Sequence, residues 1–216
     1  MARKSILVYI EGEGGGRTVD KRKHNDGEFR KAWKRFLQPL ADLANDRGIS
    51  RFQCIPGRGG TTTEKQFANP LPADGHALRI LLIDSEGPVG DVSKPWKAIR
   101  LKRPQWAGDK NCYLMVQCLE TWLLADPASI QSHYDSHGKP CFRQRKLKAW
   151  QDLENIAKAT LQTAIEAATA ECGKPYAHAD GNLLIGKVDL EKLKKLSSVA
   201  RLFKDFGERI NEYAAD

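Results

Sequence analysis

Four carboxylates stand at the ends of apolar segments, and their spacing suggests shared chemistry. Glu11 follows Ser5-Ile-Leu-Val-Tyr-Ile10. Asp84 closes Leu78-Arg-Ile-Leu-Leu-Ile-Asp84, with Glu86 two residues on, and Glu120 comes two residues after Cys112-Tyr-Leu-Met-Val-Gln-Cys118, at the start of the helix that follows. If the strand continues through Asp84 and Glu86, both side chains point to one face and can grip the same ion or ion pair. Carboxylates gathered at one edge repel and raise one another's pKa unless cations lie among them. Hard oxygen ligands in basic surroundings suit magnesium or manganese beside a phosphate. Two such ions roughly 3.5 to 4 Å apart activate water and stabilise a leaving oxygen. That is phosphodiester chemistry, with Asp84 and Glu86 as ligands and Glu120 as a ligand of a second ion. A single strand-end acid more often caps a helix or pairs with a surface lysine; three strand ends together weaken that reading.

The elements that must position these acids follow from the apolar patterning. Runs that are apolar nearly throughout read as central parallel strands buried on both faces. Three such runs carry Glu11, Asp84 and the approach to Glu120, and Arg51 to Ile55 adds a fourth strand. Between them Phe29, Trp33, Phe36, Leu37, Leu40, Leu43 and Ala44 recur at helical spacing, with Pro39 as a kink and Gly48 as a stop. A short segment around Phe67 is helical. Strands alternating with helices predict an α/β fold, a parallel sheet of about four strands covered on both faces. Ligands of such sheets bind beyond the carboxyl ends of the strands, where strand order reverses, so the first and third strands must be neighbours if Glu11 and Asp84 share a site. Residues 1–126 form this core. Residues 127–216 form a helical extension packed on it, with periodicity over Leu147 to Glu171 and a last helix from Val199 to Tyr213. Asp126 before Pro127 suits a helix N-cap and is set aside as a catalytic acid.

The chain of 216 residues carries a formal charge of +8, concentrated in three segments. Arg17 to Arg35 holds eight basic and three acidic residues, Lys94 to Lys110 six and one, and Lys139 to Lys148 five and none. Any one run reads equally well as solvated lysines. Several beside one cleft bind a polyanion without reading its sequence. The residues placed on phosphate are Arg17 and Arg58, each in a glycine-rich loop, and Lys94, Lys97, Arg100, Lys102 and Arg103. Trp96 and Trp106 lie in the same basic segment, where ring faces can stack on bases, although tryptophan more commonly packs in a core, the expectation for Trp33 and Trp122. The loop Gly12-Glu-Gly-Gly-Gly16 lacks the third glycine of a dinucleotide fingerprint and the Lys-Ser/Thr of a P-loop. Five cysteines, an odd number with no C-x-x-C, argue for buried reduced thiols rather than a disulfide framework or a zinc ribbon. No stretch has the roughly 20 apolar residues of a membrane helix, and the reading is a soluble cytoplasmic protein.

Strand-Glu11-Gly12 followed by Asp84-Ser-Glu-Gly-Pro88 after a second apolar strand resembles the Toprim pattern of topoisomerases, primases and OLD-family nucleases. More closely, Ile10-Glu-Gly12, Leu82-Ile-Asp-Ser-Glu-Gly-Pro88 and Met115-Val-Gln-Cys-Leu-Glu-Thr-Trp-Leu-Leu-Ala-Asp126 are similar to an uncharacterised bacterial Toprim-like family whose genes often neighbour an ATPase. The similarity runs from about residue 4 to 210, more loosely over Lys174-Pro-Tyr176 and the last helices. It implies a Toprim-like sheet in which Glu11 is the acid or base and Asp84 and Glu86 hold Mg2+ or Mn2+. Glu86 stands where the general pattern has a second aspartate. The resemblance further implies a nuclease acting on DNA or RNA, tRNA included, as the effector of an ATPase-linked defence against phage.

The rival expectation is a noncatalytic nucleic-acid-binding or ATPase-binding subunit that keeps the fold, and a phosphotransferase acting on mononucleotides ranks last. The late helices either cover the sheet or form a homodimer.

Overall fold

A computed structural model describes residues 4–12, 19–57, 59–69, 76–135 and 140–216, with side chains from 26 onward in the first helix. Four parallel strands form one sheet: β1 (Ser5–Ile10), β2 (Arg51–Pro56), β3 (Leu78–Asp84) and β4 (Cys112–Met115). Their order is β2-β1-β3-β4. β1 therefore has β2 on one side and β3 on the other, with Val8 opposite Cys54 and Ile80. This is an α/β, Rossmann-like arrangement, and strand order reverses between β1 and β3.

The helices are α1 (Val19–Phe36), α2 (Gln38–Asp46), α3 (Gly60–Ala68), α4 (Leu119–Leu124), α5 (Pro127–Asp135), α6 (Lys158–Thr169), α7 (His178–Leu184), α8 (Leu190–Leu193) and α9 (Ser197–Ala215). Pro39 does more than kink a helix. It stands in the first turn of α2, where its missing N–H costs nothing, and Leu37 separates α2 from α1.

The two faces of the sheet are covered unequally. Ile6, Val8, Ile10, Ile80, Leu82, Tyr113 and Met115 face a large core built with α1, α2, α4, α6, α7 and α9, in which Trp33 and Trp122 are fully buried. Leu7, Tyr9, Leu81, Ile83 and Leu114 face a smaller core closed by Phe67 of α3 and by the loop between β3 and β4, through Trp96, Ile99, Leu101 and Ala107. The alternation of a strand's side chains sorts these sets without further instruction. The change at residue 126 is one of secondary structure and not of core, because Leu161, Ile165, Phe206 and Ile210 join the cluster that covers β1. The late helices cover the sheet: α9 lies against β4 and α2.

The structure departs from the sequence expectation at three places. The stretch 147–171 is α-helical only over Lys158–Thr169, with a single 3-10 turn at Leu153–Asn155 ahead of that helix. Before it Asn155 donates to Asp152 at 2.6 Å, and Glu154 accepts from the backbone N–H groups of Ser197 and Ser198 at the start of α9, so these side chains serve turns and a distant helix end. β4 ends at Met115 rather than Cys118, because Gln117 adopts φ +65° and turns the chain. The cysteines are not all reduced: Cys141 and Cys172 form a disulfide with Cα atoms 5.0 Å apart, while Cys54, Cys112 and Cys118 are free and buried.

Candidate functional site at the β1–β3 edge

Glu11 leaves the sheet where β1 ends. Its own N–H still donates to Leu82 at 2.8 Å, and its Oε2 accepts the N–H of Asp84 at 3.1 Å. Two strand ends are thus tied through a carboxylate. Behind it Gly12 has φ +153°, and a Cβ there would lie 2.5 Å from Asn182 Oδ1, an atom that also accepts Trp33 Nε1 at 3.0 Å. Glycine is required at 12 because a buried polar contact of α7 and α1 occupies its side-chain space.

Asp84 is the last residue of β3 and is buried, at 7% exposure. Its Oδ2 is 3.4 Å from Lys158 Nζ, while its Oδ1 is buried without a hydrogen-bond partner among the described residues. Burial, and then the charge of Glu11, push its carboxyl up to about 8. Burial also raises Glu11, partly offset by the Asp84 N–H.

Glu86 reaches the same place by another route than strand alternation. β3 has ended by then, and Glu86 sits in a turn at φ +57°, a left-handed conformation that costs a residue with a side chain roughly 1–2 kcal/mol. The turn is braced by Ser85, whose hydroxyl donates to Gly87 O at 2.5 Å and accepts the Gln117 N–H at 2.9 Å. From there Glu86 Oε1 meets Lys158 Nζ at 2.7 Å. Lys158 is the residue that the sequence did not reveal. Burial works against its charge, but Glu86 and Asp84 outweigh it and raise its pKa above that of an ordinary lysine.

Glu120 lies beside this group, close enough for its charge to act on Asp84, but its environment differs. It is fully buried in α4, and Oε1 accepts from Tyr176 Oη at 2.8 Å, His178 Nδ1 at 2.7 Å and Gln162 Nε2 at 3.4 Å. Burial opposes its charge, yet the hydrogen bond and charge of His178, with the Tyr176 hydroxyl, prevail and hold it at about 2. The bond to Glu120 in turn raises His178. Tyr176 and His178 were also missed as site residues, since nothing local links them to position 120. Asp126 behaves as a structural acid: Ser129 Oγ and the Asp189 N–H donate to Oδ2, and Lys192 lies 2.6 Å from Oδ1.

Above Glu11, Asp84 and Glu86 opens a cleft of about 820 Å³, walled by Gly60 and Thr61 at the start of α3, by Glu64, and by Ala98, Ile99 and Arg100 of the β3–β4 loop. Of the phosphate-binding residues expected from sequence, Arg100 stands in this wall. Lys94, Lys97, Lys102 and Arg103 are exposed on the same loop, Lys94 at 3.4 Å from Asp91 and Arg103 at 4.0 Å from Asp109. Arg17 and Arg58 lie outside the described residues. The tryptophans of the loop are engaged within the fold. Trp96 packs on Phe67 and donates Nε1–H to Gly108 at 3.1 Å, and Trp106 packs on Phe67 at 4.9 Å with the Arg79 guanidinium 3.6 Å from its ring centre.

Among the described residues no three His, Cys, Asp or Glu side chains form a ready-made metal cage. The donors suit an ion that takes part of its shell elsewhere. Asp84 and Glu86 are hard oxygen ligands, Asp84 Oδ1 is an orphaned acceptor, and magnesium commonly binds through one or two carboxylates and completes its shell with water and substrate phosphate. No helix among the described residues is long and apolar enough to cross a membrane.

The profile of a family described as a domain of unknown function (DUF4276) matches residues 22–210, and the chain belongs to that family. No curated protein and no solved structure matches it.

Proposed function

We propose that this member of the DUF4276 family is a metal-dependent phosphodiesterase acting on nucleic acid. The observation that carries this reading is the convergence of Glu11, Asp84 and Glu86 at the β1–β3 reversal, under a cleft with Arg100 in its wall. Asp84 and Glu86 would hold Mg2+ or Mn2+, which when bound would supply Lewis-acid polarisation of a phosphate oxygen. Glu11 stands at the mouth of the same edge, and its raised pKa suits a group that accepts a proton from attacking water. Arg100, Lys97 and Lys102 orient the polyanion by charge, without base readout. Glu120 is assigned to holding Tyr176 and His178, because its Oε1 already accepts three hydrogen bonds. The resemblance to Toprim nucleases supports the same chemistry, and on that resemblance alone rests a role in the cytoplasm as effector of an ATPase-linked defence, with DNA or RNA as substrate.

One observation favours a second reading. Lys158 already neutralises part of the charge on Asp84 and Glu86, as expected of a subunit that keeps the fold and binds polyanions without turnover. Cleavage of mixed DNA and tRNA with manganese, alongside calorimetry, separates the two. The enzyme reading expects manganese-dependent cleavage that Glu11→Gln abolishes while metal binding survives. Salt-sensitive binding to nucleic acid, with neither metal binding nor cleavage, would establish the subunit instead.

A further inference from the structure

Lys158 is the first residue of α6, a helix with no acidic residue in its first turn and no side-chain cap. A cation there faces the positive end of the helix dipole, which costs about 0.3–1 kcal/mol. The position is disfavoured locally and is held by what the ammonium meets across the fold: Glu86 at 2.7 Å and Asp84 at 3.4 Å. These are the two carboxylates with the geometry to hold a metal ion. Its side chain is 26% exposed, so solvent reaches it and it can leave without unfolding the helix. α6 itself is pinned at its far end, where the Arg143 N–H donates to Ala168 O at 2.8 Å and the Tyr176 N–H to Thr169 Oγ1 at 2.9 Å. The compensation is also incomplete. Among the described residues Lys158 is the one ammonium paired with Asp84 and Glu86, and Asp84 Oδ1 is left buried and unpartnered.

We infer that Lys158 is a built-in counter-ion occupying the place of the divalent cation, so that metal binding at Asp84 and Glu86 displaces its ammonium. This deepens the phosphodiesterase reading and rests on it. The resting protein is held together at this edge by its own lysine, and metal affinity is set by the exchange of one cation for another. A site competent to bind only while Lys158 is away shows an apparent affinity reduced by that fraction, so an occupancy of about nine-tenths weakens binding about tenfold.

Manganese calorimetry on the full chain, comparing wild type, Lys158→Met and Asp84→Asn, tests the inference. Lys158→Met is expected to bind manganese about tenfold more tightly than wild type, and Asp84→Asn not at all. Unchanged or weaker binding by a folded Lys158→Met overturns the counter-ion. Absence of binding in all three proteins, with nucleic acid present, overturns the metal site itself, a separable failure. Should Lys158→Met not fold, the wild type answers alone. Brief acetylation read by mass spectrometry should label Lys158 several-fold faster with saturating manganese, while Lys110, paired with Glu208 and Glu212 at 2.8 and 2.9 Å, keeps its rate. Equal labelling of Lys158 with and without manganese rejects displacement.

Discussion

Asp84 and Asp126 are the same residue type, both buried and both at the end of an element, yet they are treated oppositely. At the α4–α5 junction Asp126 accepts from Ser129, Asp189 and Lys192, and its pKa falls below the usual carboxylate range despite the penalty of burial. At the sheet edge Asp84 has one ammonium at 3.4 Å, an orphaned oxygen, and a carboxyl pushed up to about 8. Burial alone therefore does not mark a functional acid. Incomplete satisfaction beside an open cleft does: Glu120 Oε2 is also buried without a partner among the described residues, but its Oε1 is held by three donors and its carboxyl is lowered, whereas Asp84 lines the cleft and is raised.

The sharpest way to break this comparison is to neutralise each acid. Asp84→Asn should remove manganese-dependent cleavage by at least about a hundredfold, yet stabilise the metal-free protein at pH 8 by about 1 kcal/mol, since a buried and only partly compensated charge disappears while Lys158 keeps Glu86 as its partner. Asp126→Asn should leave cleavage intact and destabilise by about 2 kcal/mol, through the lost partner of Lys192. Activity assays and thermal melts in chelator read both, and destabilisation by both substitutions would show that the two acids are alike.

The pH dependence sharpens the same point. Asp84 is raised on folding, so the native state binds the proton more tightly than the unfolded chain. Its contribution to stability is full below the ordinary value of 3.8 and is lost as pH rises towards about 8. Denaturant titrations of the metal-free wild type should show this downward component between those values, and Asp84→Asn should lack it. Asp126, lowered on folding, contributes in the other direction, its stabilisation being lost as pH falls.

A smaller effect separates the strained turn from ordinary helix. Glu86→Gly should be more stable than Glu86→Ala by about 1 kcal/mol, because only glycine adopts φ +57° freely. At Glu64 inside α3 the order should reverse by a similar amount. Equal melting temperatures for the Gly and Ala variants at 86 would mean that the turn carries no strain.

What the sequence disclosed and what it hid divide along physical lines. Continuous apolar runs placed β1 and β3, and the geometry of parallel sheets put Glu11 and Asp84 at one edge; that the two strands are neighbours was only a condition in the sequence and comes from the structure. Glu86 does come to the same edge as Asp84, but not by period-two alternation, which has no bearing on a left-handed turn. Lys158, Tyr176 and His178 were invisible because pairing across 56 to 74 residues leaves no local pattern. The same holds for Cys141 and Cys172, 31 residues apart, which an argument from the number of cysteines could not pair.

The order of charges along the chain has a consequence for synthesis. Glu11, Asp84, Glu86 and Glu120 all precede Lys158 and His178, so a growing chain carries the acids of this edge before the lysine and histidine that compensate them. Until α6 and α7 emerge, the four-stranded sheet has its acids without their cations and the larger face of β1 without much of its cover. The fold is therefore expected to close late, and a ribosome-bound chain that exposes all four strands but not α6 and α7 should be the state most sensitive to protease and most relieved by added divalent cation.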